Sequence, residues 1–297
     1  MLVKARLLNT AVLVSMLALF GFGSGPAIAQ QHSSRLNPQN DRASISLKDV
    51  AGEAKSRLHF APLDLSGGTS LTVISSQEWV YLSHKLSNAL KTIHSSYTNI
   101  FGKIPSFSTT LRLMNEDLFY QETGAPKWTN AMYYRKQIYI PLSKKNGVDL
   151  PNLARSIRHE YMHSVIHALS KGKCPGWLDE GLAQWAEKTE NPALRPALLE
   201  WLRNHNVIGL DQLQGGFTKL DRDMVPPAYA QSLFAAKLIV SNYGFTKIRL
   251  YFDHLRSDEE KDQAFIKTFG ISENGFQLQL SKALKAWQKK HQNLKRF

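Results

Sequence analysis

The pattern of apolar and polar positions changes character about halfway along the chain. Short alternating or β-branched segments come first and predict strands. These predicted strands are residues 71–75, 109–114, 128–134 and 137–142. Apolar residues at helical spacing from Trp79 to Phe101 predict a long helix among them, and from Leu150 onward the spacing is helical throughout. The pattern therefore predicts an α+β fold, with a mixed-sheet lobe at 46–149 and a helical part at 150–297.

Glycine and proline clusters divide the second half into separate helices. The predicted breaks lie at Gly172 to Gly176, Gly215-Gly216, Pro226-Pro227 and Gly244. At this length the sheet lobe and the helical lobe fit a single domain with a cleft between its two parts.

The first 29 residues have the features of a cleaved signal peptide. Lys4 and Arg6 form a short positive region, an uncharged apolar run follows, and Pro26–Ala29 provides the small-x-small pattern that signal peptidase requires. The alternative is an uncleaved membrane anchor, but the glycines at 21–25 leave the apolar stretch short for a bilayer. We therefore expect cleavage after Ala29 and export to the periplasm or the exterior of a bacterium.

The composition of the chain excludes some classes of protein. The chain has 297 residues, 43% of them hydrophobic, which excludes a disordered protein, and its single cysteine, Cys174, excludes an intramolecular disulfide. Residues 30–45 are polar and predict a flexible leader, which leaves 46–297 as the folded domain. The net charge of +13 favours an anionic partner, but export argues against nucleic acid.

The helical stretch from Leu153 to Leu169 contains the pattern HExxH at His159, Glu160 and His163. Spacing of i, i+4 places both imidazoles on one face of the helix, one turn apart, where they can chelate a single metal ion. Glu160 lies beside them and can reach a water on the metal without being a ligand, which is the position of a general base.

Two surface histidines and a glutamate on an ordinary helix would give the same pattern by chance. His163 and His167 form a second i, i+4 pair, which shows how readily the spacing arises. We interpret His167 as a packing residue or as a support for a ligand, and not as a ligand itself.

A catalytic zinc needs three protein ligands and an open fourth position, so a further residue must complete the pattern. Glu180 follows His163 after a turn rich in glycine, near the start of a second predicted helix. Gly181 and Ala183 remove bulk where we expect the two helices to approach closely. The alternative for Glu180 is a solvated carboxylate in the first turn of a helix, where the helix dipole favours it.

The segments HEYMH at 159–163 and WLDEGLAQWAE at 177–187 together resemble the gluzincin zinc metallopeptidases, and in particular the peptidase MA-like group, distant relatives of thermolysin and the zinc aminopeptidases. Further segments of the same kind occur in the order that this group shows. They are FYQETGAPKW at 119–128, IYIP at 138–141, YAQS at 229–232 and YG at 243–244. The resemblance covers roughly residues 71–255.

The resemblance implies a thermolysin-like zincin fold: an N-terminal mixed-sheet lobe, a central pair of helices at the zinc site and an all-helical C-terminal lobe. It implies one Zn²⁺ per chain, held by His159, His163 and Glu180, with Glu160 as the general base. It also implies an oxyanion donor from the C-terminal lobe, for which Tyr229 is the best candidate. The alternative for Tyr229 is a core aromatic at the start of a helix, and Tyr133 and Tyr134 are weaker candidates for the donor.

An edge strand that pairs with the substrate backbone is a further implication. We expect Thr129 to Met132 to form it, with Asn130 and Ala131 as substrate-binding residues. Zinc-bound imidazoles usually donate their second nitrogen to a carboxylate or carbonyl oxygen, and Asp179 or Gln184 could accept here. Helical spacing favours Gln184, which lies one turn beyond Glu180.

The C-terminal segment 280–297 combines an apolar stripe with many basic residues. It could make weak contact with an anionic membrane or cell-wall surface, but a helix that docks its stripe and leaves its charges in solvent explains the pattern better. Cys174 lies between the two zinc-site helices and is interpreted as incidental, because the three ligands are already present.

The residues and the resemblance predict an exported zinc-dependent peptidase acting on a peptide or protein. They favour an endopeptidase, because no segment is typical of a site for a free N-terminus. The first alternative is a non-catalytic envelope protein that keeps the fold to bind peptides or a partner, although such a protein has no use for Glu160. A second alternative is an adaptor that works through its basic C-terminus.

Overall fold

The computed structural model describes residues 58–125, 129–143, 145, 147–217 and 220–293. The chain divides into two units, Met1–Leu58 and His59–Phe297, and the fold described below is that of the second. The predicted signal peptide and the leader at 30–45 lie outside the described residues, as does the start of the predicted domain at residue 46. Those boundaries stay predictions.

Five strands form one mixed sheet in the first half of the described chain. The strands are β1 (His59–Leu65), β2 (Thr69–Ser75), β3 (Ser108–Asn115), β4 (Met132–Tyr134) and β5 (Gln137–Leu142). Their order across the sheet is β1-β2-β3-β5-β4. The three central strands, β2, β3 and β5, are parallel to one another, and the edge strands β1 and β4 pair antiparallel with β2 and β5. The predicted mixed-sheet lobe is thus confirmed.

The agreement with the predicted strands is close in the centre of the sheet and poor at its edges. The three central strands contain the predicted segments. β1 was not predicted, because Pro62 interrupts a run of otherwise suitable residues, and an edge strand tolerates proline on its unpaired side. The predicted strand at 128–134 is reduced to Met132–Tyr134, so residues 129–131 precede the strand.

Eight α-helices make up most of the rest. They are α1 (Val80–Phe101), α2 (Glu116–Thr123), α3 (Leu150–Ser170), α4 (Gly176–Ala186), α5 (Leu194–Asn204), α6 (Val225–Arg256), α7 (Lys261–Phe269) and α8 (Glu273–Asn293), as counted over the described residues. The predicted break at Gly244 is a kink within α6, where Gly244 alone is non-helical with φ of 75°. The prolines at 226–227 lie in the first turn of α6, where a missing N–H costs nothing.

The turn between α3 and α4 sets the geometry of the predicted metal site. The side chain of Asp149 caps the start of α3 by accepting from the backbone N–H of Asn152 at 3.1 Å. At the other end, the C-cap residue Lys171 is in the left-handed conformation and is followed by Gly172 with φ of 73°. α4 starts directly after Pro175 and packs against both α3 and α6. The short turn therefore brings α4 back along α3, as the sequence predicts.

The apolar stripe of α8 is part of the core. Leu280, Leu284 and Trp287 are buried, and the Trp287 ring packs on Phe234 with ring centroids 5.9 Å apart. The lysines of α8 at 282, 285, 289 and 290 are exposed, which is the arrangement of a docked terminal helix. None of the described helices is both long and apolar enough to span a bilayer. Contact of the lysines with an anionic surface stays a prediction.

Candidate metal centre

α3 and α4 bring together the three residues that the sequence identifies as ligands. Glu180 Oε2 lies 3.6 Å from His159 Nε2 and 3.8 Å from His163 Nε2, and the two imidazole rings are 5.0 Å apart. All three donor atoms lie within 4.8 Å of one another. In the described part of the chain, no other group of three or more His, Cys, Asp and Glu side chains converges in this way.

The residues present fit a zinc ion. Glu180 Oε2 is buried, and no hydrogen-bond donor within the described residues satisfies it. Its separations from the two Nε2 atoms are too long for hydrogen bonds, yet they suit three ligands that each approach a common ion to about 2.0–2.2 Å. Two imidazoles and one carboxylate are also a donor set of catalytic zinc. An ion would therefore satisfy an oxygen that the described residues leave without a partner.

The second ring nitrogen of each histidine is held by a carboxylate from α4 or its end. His163 Nδ1 donates to Asp179 Oδ1 at 2.9 Å, and His159 Nδ1 donates to Glu187 Oε1 at 2.8 Å. These bonds hold the rings with Nε2 of both facing Glu180. The expectation that Gln184 is favoured over Asp179 is wrong.

Gln184 contacts the backbone instead. Its Nε2 donates to the carbonyl of Tyr229 at 2.8 Å and to the carbonyl of Glu180 at 3.3 Å. Glu187 was missed, although it stands seven residues after Glu180 and so two turns further along the same face. In an antiparallel pair of helices that position lies opposite His159, which is one turn before His163.

The carboxylates control the protonation of the two histidines. Burial by itself would lower the pKa of His163, but Asp179 and Glu180 outweigh it and raise the pKa to about 9. In the same way Glu180 and Glu187 overcome the effect of burial and raise the pKa of His159 well above its ordinary value. Burial would raise the pKa of Glu180, yet the two histidines lower it. The carboxylates thus favour the protonated form of both imidazoles, and the histidines favour the ionised form of Glu180.

Glu160 is placed beside the three ligands but is not one of them. Its side chain is buried on α3, and burial raises the pKa of its carboxyl above the ordinary value, an effect that His159 and His163 reduce. The backbone of Tyr133, in edge strand β4, also lowers the pKa of this carboxyl. A carboxylate that is poised by burial and opposite charge suits proton transfer.

Tyr229 reaches the same centre from the first turns of α6. Burial raises the pKa of its phenol, and the carboxylates of Glu180 and Glu160 raise it further through their charges. Its ring packs edge-on against Phe217 with centroids 5.0 Å apart. The structure therefore brings Tyr229 close to the candidate ligands and keeps its O–H protonated, as a hydrogen-bond donor must be.

The edge strand beside the centre differs from the one expected. Asn130 and Ala131 precede β4 and are not paired in the sheet, so the strand assignment of Thr129 to Met132 is wrong apart from its last residue. Tyr133 is the strand residue at the centre, where its ring stacks on His163 at 6.1 Å. Tyr134 is 43% exposed.

Two further sequence interpretations concern the surroundings of the ligands. His167 contacts Tyr133 edge-on, with ring centroids 6.4 Å apart, which fits a packing residue. Cys174 lies in the turn between α3 and α4, and burial raises the pKa of its thiol well above the ordinary value, so it does not present a thiolate to a metal.

Gly181 permits a close helix contact, but not the contact that the sequence suggests. A Cβ atom at this position would lie 2.2 Å from the carbonyl oxygen of Ser232 and 2.7 Å from Cβ of Ala236, both in α6. Gly181 therefore lets α4 approach α6 and not α3. This contact holds Glu180 and the start of α6, which carries Tyr229, in one rigid unit.

The sequence comparison with protein families decides the relationship of the chain. The family model for the Peptidase MA superfamily matches residues 113–287, more than half of the chain. The chain belongs to the Peptidase MA superfamily. The matched residues include the whole candidate centre from α3 through the start of α6.

Solved structures that resemble this Peptidase MA superfamily member share little sequence with it. The M1 zinc metallopeptidase of Deinococcus radiodurans, as an E323A mutant, is 12% identical with a TM-score of 0.43, and 78% of this chain covers 51% of that one. The same mutant bound to a Tyr-Ser-Ala substrate is also 12% identical, with a TM-score of 0.45 and the same coverage of both chains. An aminopeptidase N family protein of Idiomarina loihiensis is 10% identical with a TM-score of 0.38, and the match covers 78% of this chain and 41% of that one. The chain thus spans about half the length of these structures or less. No curated protein matched the sequence.

Proposed function

We propose that this protein is an exported zinc-dependent peptidase with the candidate metal centre as its active site. The observation that carries the proposal is the buried Glu180 Oε2, which lacks a hydrogen-bond partner in the described residues and faces Nε2 of both His159 and His163. On each of those rings Nδ1 donates a hydrogen bond to a carboxylate, which fixes the orientation of the ring. Membership of the Peptidase MA superfamily supports a peptide as the substrate.

The three ligands would hold one zinc ion and leave its fourth position open. When bound, zinc would acidify a water molecule and polarise the carbonyl of the peptide bond to be cleaved. The carboxylates of Asp179 and Glu187 accept hydrogen bonds from Nδ1–H of His163 and His159, so Nε2 of each ring is the nitrogen that would bind the ion.

Glu160 would act as the general base and then as the general acid. Its carboxylate takes a proton from the attacking water and returns it to the nitrogen of the departing amine. Burial raises the pKa of Glu160, which makes it a stronger base than a solvated glutamate.

Tyr229 would stabilise the negative charge that develops on the substrate oxygen. Its phenol is protonated because burial raises its pKa, so its O–H can donate to that oxygen. The position of Tyr229 near Glu180 and Glu160 supports this role, as does the hydrogen bond from Gln184 that holds its backbone carbonyl at 2.8 Å.

We extend the proposal to an endopeptidase. Peptides with internal fluorophore and quencher groups, blocked at both ends, should be cleaved, whereas aminoacyl amides with a free amino group should not be preferred. Faster hydrolysis of the aminoacyl amides would instead establish an aminopeptidase. Export is part of the same proposal, and the N-terminus of the protein recovered from cells should be Gln30.

Elemental analysis and hydrolysis assays test the proposal together. After dialysis against metal-free buffer, the purified protein should contain about one zinc per chain, and a pool of blocked peptides should be hydrolysed. The Glu160→Gln variant is the matched control, because it keeps the ligands and the shape of the site. We expect it to bind zinc normally and to lose at least about a thousandfold in kcat.

Each other outcome has a definite meaning. A protein that binds no zinc after metal is added back is not a zinc peptidase. A protein that binds zinc but gives the same hydrolysis as its Glu160→Gln variant is a non-catalytic relative that keeps the fold, and its biological effect should then survive that substitution.

A further inference from the structure

A line of polar contacts extends from the candidate ligand His159 to the N-terminal turn of α3. Glu187 uses both of its carboxylate oxygens: Oε1 accepts from His159 Nδ1 at 2.8 Å, and Oε2 accepts from Arg155 Nη1 at 3.3 Å. The other end of the Arg155 guanidinium, Nη2, donates to Asn152 Oδ1 at 2.8 Å. The guanidinium is therefore held by Asn152 at one end and binds Glu187 with the other.

The spacing along α3 makes this arrangement rigid. Asn152, Arg155 and His159 lie at i, i+3 and i+7, which places them on one face of the helix. Their relative positions are thus set by the helix itself. Glu187, from the end of α4, is held between Arg155 and His159, and its two oxygens have distinct partners.

The two carboxylates that hold the histidines differ in their surroundings. Asp179 lies in the first turn of α4, where the positive end of the helix dipole favours a carboxylate. Glu187 is the C-cap residue of the same helix, where the negative end of the dipole disfavours a carboxylate. Arg155 supplies a positive charge to Glu187, whereas no lysine or arginine of the described residues forms an ion pair with Asp179.

We propose that Arg155 is a positioning residue that acts through Glu187 on His159 and thereby raises the affinity of the centre for zinc. The proposal rests on the proposed function, because it concerns the same metal. Arg155 keeps one oxygen of Glu187 aimed at Nδ1 of His159, so the ring presents Nε2 to the ion without a loss of side-chain entropy on binding.

Zinc affinity, measured by competition with a chromophoric chelator, tests the proposal directly. We expect Arg155→Met to weaken zinc binding about 3- to 10-fold, less than the roughly 10- to 100-fold typical when a direct partner of a ligand is lost. Arg155→Lys keeps the charge but cannot bond Asn152 and Glu187 in the same fork geometry, so its zinc affinity should lie between those of the wild type and Arg155→Met. Arg158→Met, on the same helix with its guanidinium on the Ala154 carbonyl at 3.4 Å, is the matched control and should bind zinc normally.

A double-mutant cycle shows whether Arg155 acts through Glu187. In a Glu187→Gln background, Arg155→Met should change zinc affinity by less than about twofold, because the contact that transmits its effect is already lost. The visible spectrum of the cobalt-substituted protein gives a second measure that a general loss of stability would not move. Its bands should shift in Arg155→Met and in Glu187→Gln, and stay unchanged in Arg158→Met.

Several results would overturn the proposal. Unchanged or tighter zinc binding by Arg155→Met would show that positioning is not its role, and an undiminished effect in the Glu187→Gln background would show that it does not act through Glu187. If Arg155→Met fails to fold, the zinc affinity of Arg155→Lys and a double-mutant cycle of Arg155→Lys with Glu187→Gln test the proposal by the same criteria. Failure of the wild-type protein to bind zinc overturns the proposed function as well. If the wild type binds zinc and Arg155→Met binds it equally well, only this inference is overturned.

Discussion

The Nδ1 atom of His163 donates to Oδ1 of Asp179 at 2.9 Å, across the two helices that form the candidate centre. Asp179 precedes the third candidate ligand, Glu180, by one residue, so a single turn of α4 supplies both a ligand and the support for another ligand. This relationship couples the register of α4 against α3 to the orientation of the imidazole. Any shift of α4 would disturb both interactions together.

Substitution of Asp179 is expected to weaken the metal site without removing a ligand. Asp179→Ala should lower zinc affinity roughly 10- to 100-fold, because His163 loses the acceptor that fixes its ring. Asp179→Asn can still accept from Nδ1 through its amide oxygen and should lose less. Zinc affinity by chelator competition is the measurement, with Asp253→Ala, which removes a carboxylate paired with Arg249, as the control. Equal affinity in wild type and Asp179→Ala would mean that the hydrogen bond does not position the ring.

Gly181 is expected to be essential for the packing of α4 on α6. A methyl group at Gly181 would overlap the Ser232 carbonyl, so Gly181→Ala should destabilise the protein by about 1–3 kcal/mol in spite of the better helix propensity of alanine. The metal-free proteins should be compared by urea unfolding, since bound zinc would add its own stabilisation.

Gly275→Ala provides the matched control for that measurement. Gly275 lies in α8, and a Cβ there would meet Ile271 and Ser272 at an ordinary 3.5 Å. This variant should be as stable as the wild type or more stable by up to about 1 kcal/mol. If Gly181→Ala unfolds at the same urea concentration as Gly275→Ala, then α6 yields to the added methyl group.

The ligands could be predicted from the sequence because their arrangement is local. His159 and His163 are one helical turn apart, and that spacing places them together in any fold that keeps the helix. Glu180 follows after a short turn rich in glycine, which leaves few positions for the second helix. The three central strands were predicted for a related reason, since alternating or β-branched residues are a local signal: β2 buries every second residue, and β3 and β5 bury neighbouring residues as well.

The supports of the ligands could not be predicted in this way, because they depend on how α4 is rotated between two neighbours. Spacing along α4 favours Gln184 as a partner of the histidines, but packing against α6 directs its amide to the Tyr229 carbonyl. The same rotation places Asp179 and Glu187 against α3. Glu187 could have been found by pairing positions across an antiparallel helix hairpin, but only once the hairpin itself was assumed.

Errors at the edges of the sheet have a different cause. An edge strand forms hydrogen bonds on one side only, so its sequence is weakly constrained. Pro62 is compatible with β1, and β4 needs only the three residues from Met132 to Tyr134 to complete the sheet. For this reason Asn130 and Ala131 were assigned to a strand that begins after them.

Replacement of Tyr229 by phenylalanine tests the proposed oxyanion donor. Loss of the phenol O–H should reduce kcat about 10²- to 10³-fold and leave zinc content unchanged, because the contribution is made only as charge develops on the substrate oxygen. Tyr243→Phe, in the same helix with its ring on Phe269, is the control and should retain full activity. A change confined to KM would assign Tyr229 to substrate binding and not to stabilisation of the charge.

Zinc affinity is expected to depend steeply on pH. In the metal-free protein Asp179 and Glu180 raise the pKa of His163 to about 9, above its ordinary value, so at neutral pH this ring carries a proton that zinc must displace. The pKa of His159 is raised as well, and that of Glu180 is lowered, so the carboxylate adds no competing proton.

The apparent affinity for zinc should therefore rise by about tenfold per pH unit for each displaced proton, up to about pH 9. Calorimetry in buffers of different ionisation enthalpy should detect the released protons. Because Asp179 is the largest cause that raises the pKa of His163, Asp179→Asn should move this rise to lower pH. A profile that is flat between pH 6 and 8 would show that the imidazoles are already neutral before the metal arrives.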